Sequence, residues 1–172
     1  MRGRRPPVAG RPGGVLSVGA LVLTTLAGCG SDVSVEPPTP RGADLSQCRS
    51  LVADLPDSVV DAEAREVSPD DGLVAAWGDP AIVLRCGVDR PDQLEPTSYC
   101  FAVNDVGWFA ESDGKPLDGT EQPTSTVVFT TIGRRPYVEV TVPPDDSRSP
   151  VDPLTDVAAA ITSNSENVSP CQ

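Results

Sequence analysis

Five cysteines and no histidine set the boundary conditions for this 172-residue chain. Cys48, Cys86, Cys100 and Cys171 lie far apart, so bridges among them tie distant segments together and limit which folds are reachable. Four cysteines allow three pairings. Zinc is the competing use of such a set. No Cys-x-x-Cys pair occurs and histidine is absent, so no metal and no cofactor is expected. Cys29 stands apart from the other four, directly behind an apolar run. What happens at Cys29 decides which compartment the rest of the chain inhabits.

That run extends from Val15 to Leu26, follows Arg2, Arg4, Arg5 and Arg11, and is too short for a permanent bilayer span. It closes on Leu26-Ala27-Gly28-Cys29, which resembles a bacterial lipobox. The resemblance implies a signal peptide over residues 1–28, cleavage before Cys29, and a lipid on the Cys29 sulfur. The expected location is then the extracytoplasmic face of the cell membrane, where the remaining cysteines oxidise in pairs. The mature chain of 144 residues keeps nine basic residues against 25 acidic ones, a formal charge of −16. Such a charge repels nucleic acid and anionic headgroups, so nucleic acid is not an expected partner. Membrane attachment falls to the lipid alone.

Residues 29–43 carry Pro37, Pro38 and Pro40 among Ser, Asp, Glu and Thr, a composition that predicts a flexible tether. A tether of that length would hold a domain over 44–172 about 20–45 Å from the bilayer. Asp44 and Gln47 have capping-box spacing, and Leu45, Cys48, Leu51, Val52 and Leu55 share one helical face. Short β-like runs follow at 73–77, 81–88, 99–103, 108–111, 126–132 and 137–142, separated by turn residues. Val138, Val140 and Val142 alternate with Tyr137, Glu139 and Thr141, the pattern of a sheet with one wet face. Asp152 and Pro153 open a last helix with Leu154, Val157, Ala158 and Ile161 on one side. This order predicts an α+β fold, an antiparallel sheet with an N-terminal and a C-terminal helix packed on one face. Within it, Cys86 and Cys100 suit a clasp across neighbouring strands, and Cys48 and Cys171 suit a tie between the two helices.

Trp77-Gly78-Asp79-Pro80-Ala81-Ile82-Val83-Leu84-Arg85-Cys86-Gly87-Val88, with Tyr137-Val138-Glu139-Val140-Thr141-Val142-Pro143, resembles the actinobacterial domain-of-unknown-function family 3515. The resemblance spans about Asp44 to Cys171 and implies a small exported lipoprotein. It implies no activity, cofactor or catalytic residue.

Without histidine, Ser-His and Cys-His nucleophiles and the commonest general base are unavailable. Ser112-Asp113-Gly114-Lys115 has Ser-x-x-Lys spacing, but Gly114 and Pro116 mark a loop where that chemistry needs a helix start. Asp70-Asp71 and Asp145-Asp146 lack the alternating oxygens of a calcium loop and read as solvated turns. Trp77, Asp79 and Arg85 around the Gly78-Asp79-Pro80 turn form a possible recognition surface. The plainer reading caps the core edge with Trp77 and pairs Asp79 with Arg85. The sequence therefore points to a non-enzymatic module, anchored to the cytoplasmic membrane through the lipid on Cys29, whose partner is an envelope protein or wall component. The alternative is a histidine-free glycan hydrolase or transferase running on two carboxylates.

Overall fold

The computed structural model describes residues 31–120 and 122–169. The lipobox residues Leu26, Ala27 and Gly28, with Cys29 and Cys171, lie outside the described residues. Strand β1 (Val33–Ser34) precedes helix α1 (Ala43–Ala53). Then come β2 (Ser58–Val59), β3 (Ala62–Arg65), β4 (Val67–Ser68), β5 (Val74–Trp77) and β6 (Ile82–Cys86). After a long loop follow β7 (Phe101–Val103), β8 (Val106–Ser112), β9 (Lys115–Pro116), β10 (Val127–Ile132), β11 (Arg134–Arg135) and β12 (Val138–Val142). Helix α2 (Asp152–Asn164) and β13 (Glu166–Asn167) complete the order.

The main sheet runs β2-β3-β5-β6-β12-β10-β8-β7, with β9 added beside β8, and every pairing in it is antiparallel. The fold is α+β, mostly antiparallel sheet with two helices. Helix α1 lies against α2 and β6, and α2 also touches β12, β8, β7 and β2. Tight turns set the hairpin registers. Val60-Asp61 and Asn104-Asp105 have positive φ at both residues, the conformation of two-residue hairpin turns that match strand twist.

Register sorts the side chains into faces. Leu84, Val140, Phe129 and Ala110 stand opposite one another across four strands, and all are buried. Trp77 opposite Ile82 and Val142 opposite Val127 extend that apolar face. Arg85, Glu139, Thr130 and Phe109 form the alternate row. That second face is not simply wet, as the alternation in residues 137–142 suggested. Thr130 and Phe109 are buried in it, and Leu94 of the 87–100 loop is buried too. Polar alternation identifies the face but not whether irregular chain lies over it.

Three further expectations need correction. The flexible tether is instead docked from Ser31 onward. Val33 and Val35 donate backbone bonds to the carbonyls of Glu66, just before β4, and Ser68 on β4, in a parallel register, and Arg65 donates to the Ser31 carbonyl. The domain thus begins at Ser31, not Asp44, because a neighbouring strand edge satisfies backbone groups that composition alone leaves to water. The disulfides predicted as Cys48–Cys171 and Cys86–Cys100 give way to Cys48–Cys86, whose Cα atoms are 5.3 Å apart. Cys48 faces inward from α1 and Cys86 ends β6, a strand that α1 contacts, so the bridge fastens the helix to mid-sheet. Cys100 is disulfide-bonded as well. Neither predicted cap forms: Gly42 is the N-cap of α1 with no side-chain cap bond. Asp152 lies inside α2, where its carboxylate accepts from the Ser149 amide.

Candidate functional site

The proposed trio of Trp77, Asp79 and Arg85 does not assemble. Trp77 is 1 % exposed and donates its indole N–H to the Pro56 carbonyl at 3.0 Å, satisfying a buried donor inside the core. Asp79 is exposed in the β5–β6 turn. Arg85 lies on the opposite face from Trp77 because they differ in register parity along the β5–β6 ladder. Its ion-pair partner is Glu139, directly opposite on β12, not Asp79. The two guanidinium contacts to Glu139 measure 3.0 and 3.4 Å, a forked arrangement that fixes both side chains.

Arg85 nevertheless marks a polar site. Its remaining Nη1 donates to the Glu36 carbonyl at 3.3 Å, which draws the N-terminal segment across the sheet. That segment, Glu36 to Pro40, forms one wall of a cleft of roughly 650 Å³. The other wall comes from Val88 to Arg90 after β6 and from Arg135 to Tyr137 before β12. Gly87 lets the walls meet. It holds φ of +91°, and a Cβ there would lie 2.5 Å from Cγ of Pro40. Both the backbone conformation and the close approach require glycine.

The charges in this cleft are unequally engaged. Arg85 and Glu139 neutralise each other. Arg90 donates to the carbonyls of Pro91 and Leu94, which orients the guanidinium without cancelling its charge. Arg135 has no ion pair among the described residues and is exposed. Asp44 and Asp89 line the same space, as does Tyr137. Two unneutralised cations therefore share a cleft with unneutralised carboxylates. Sequence reasoning singled out Arg85 but missed Arg90, Arg135 and Tyr137, which the β6–β12 pairing and the Gly87 amide bond to the Tyr137 carbonyl bring together from distant stretches.

Elsewhere, local chemistry explains the remaining candidates. Ser112 and Lys115 pair across the β8–β9 turn at Asp113-Gly114, and Ser112 donates to the Thr126 carbonyl, so the Ser-x-x-Lys spacing belongs to a hairpin. Asp145 accepts from the Ser147 amide and hydroxyl and pairs with Arg148, which together hold its carboxyl below the usual range. Glu111 is held above the usual range by burial first, then by Glu139 and Asp92. Arg134 is 6 % exposed and spans from the Asp105 carbonyl to the Ser165 hydroxyl, clamping the β7–β8 turn to the end of α2. A second recess of about 280 Å³, lined by Tyr99, Phe101, Leu117, Pro123, Phe129 and Val151, is apolar.

Among known sequences, the family described as Protein of unknown function (DUF3515) matches residues 14–170 of this chain. No curated protein and no solved structure matches it.

Proposed function

The chain belongs to this family of unknown function (DUF3515), which hands it no activity, and we propose that it is a lipid-anchored, non-catalytic binding module of the bacterial cell envelope. On this reading residues 1–28 are removed as a signal peptide and Cys29 carries the lipid. The domain works on the outer face of the cytoplasmic membrane, against an envelope protein or wall component. Both helices cover one face of the sheet, and the docked N-terminal segment with its cleft occupies the other.

The observation that carries the proposal is the lipobox-like Leu26-Ala27-Gly28-Cys29 that closes the apolar run from Val15. Ser31 is tied to Arg65 only two residues after the lipobox cysteine. Binding is favoured over catalysis by the state of the carboxylates. Glu139 is held by Arg85 in a forked ion pair, so it is not a free carboxylate for glycan acid–base chemistry.

Labelling cells with an alkyne fatty acid tests the anchor. The wild-type chain takes up label and fractionates with membranes, whereas Cys29→Ala accumulates as an unlabelled, uncleaved precursor. A wild-type chain that takes up no label contradicts the proposal.

A further inference from the structure

We infer that the cleft between the N-terminal segment and the Arg135–Tyr137 turn binds a small zwitterion of the amino-acid or short-peptide kind. The ligand carboxylate lies toward Arg90 and Arg135, and its ammonium toward Asp44 and Asp89. This deepens the binding-module reading and rests on it.

Charge complementarity carries the assignment. The mature chain has a formal charge of −16, which disfavours simple anions everywhere on its surface. Yet this cleft gathers three of its nine basic side chains, Arg85, Arg90 and Arg135. With Arg85 spent on Glu139, two guanidinium groups remain for an anion. Glu36, Asp44 and Asp89 remain for a cation, and Asp44 is half-buried. A plain anion would leave the carboxylates facing it unpaired, and a plain cation would meet the arginines. A ligand carrying both charges matches both groups. The walls are pre-formed: Pro37, Pro38, Pro40 and buried Pro136 fix the backbone, so little ordering accompanies binding.

The test uses the full chain extracted in detergent, with its intact mass recorded first so that the state of Cys29 is known. Alanyl-alanine is titrated by calorimetry beside its N-acetyl form, which lacks the ammonium, and its amide, which lacks the carboxylate. The dipeptide saturates the protein, and each capped form binds at least about tenfold more weakly, the loss expected for a charge-assisted contact. Arg135→Gln, at an exposed position, weakens the free dipeptide by a similar factor and abolishes the difference between dipeptide and amide. Inorganic phosphate and vesicles of phosphatidylethanolamine serve as competitors. Displacement by either overturns the assignment, toward a simple anion site or a headgroup site. No saturation at millimolar dipeptide, equal binding of the capped forms, or an indifferent Arg135→Gln overturns it as well. A chain without lipid that still binds the dipeptide sinks the anchor but keeps the site, and a lipidated chain that ignores it does the reverse.

Discussion

Arg85 shows how much one side chain decides. On its strand it could face either layer, and the register places it opposite Glu139 rather than beside Trp77. Part of its surface remains open to solvent, so the pair itself contributes little to stability, on the order of 1 kcal/mol or less. Its larger effect is the bond to Glu36. Arg85→Ala is therefore expected to lower the melting temperature by only a few degrees while raising the susceptibility of residues 31–40 to protease. Unchanged proteolysis would show that other contacts hold that segment. Glu111 supplies a pH test. Its folded-state pKa is raised, so ionising it opposes folding. That penalty is absent well below pH 4.5 and grows as pH rises through the unfolded and then the folded pKa. Glu111→Gln should melt a degree or two higher than wild type at pH 7 and show no gain near pH 3. A gain equal at both pH values would rule out ionisation as its cause.

Among the elements, the strands most legible in the sequence are those whose β-branched runs are long. Residues 127–132 and 138–142 were readable from Val, Ile and Thr content and alternation, and Leu154 to Ile161 from helical spacing. The stretch Ser58 to Ser68 was not, because Ala62-Glu63-Ala64-Arg65 is weakly apolar and gains its strand from pairing with β5. The N-terminal segment was misread for the same reason, since proline-rich polar chain carries no signal for the edge that accepts it. Of the candidate site, Arg85 was visible and the docked wall opposite was not. Hydrogen exchange checks that wall: the Val33 and Val35 amides, bonded to Glu66 and Ser68, should exchange more slowly than those of a free peptide. Free-peptide rates would restore the tether. The covalent tie of α1 to β6 is a second test. Its 38-residue separation corresponds to about 4 kcal/mol in the chain-entropy account. Replacing Cys48 and Cys86 together by alanine should lower the melting temperature by about 10 °C. Non-reducing peptide mapping should recover the Cys48–Cys86 link.

For the molecule as a whole, the acidic surface, the docked N-terminal segment and the cysteine at position 29 form one arrangement. The charge offers no attraction to an anionic bilayer, so under the proposed function attachment depends on the lipid. The most direct measurement is the intact mass of the protein extracted from membranes of the cells that make it. The expected mass is that of a polypeptide beginning at Cys29 and carrying a diacylglyceryl group. A mass equal to unmodified polypeptide, or a mature chain beginning anywhere other than Cys29, would contradict it.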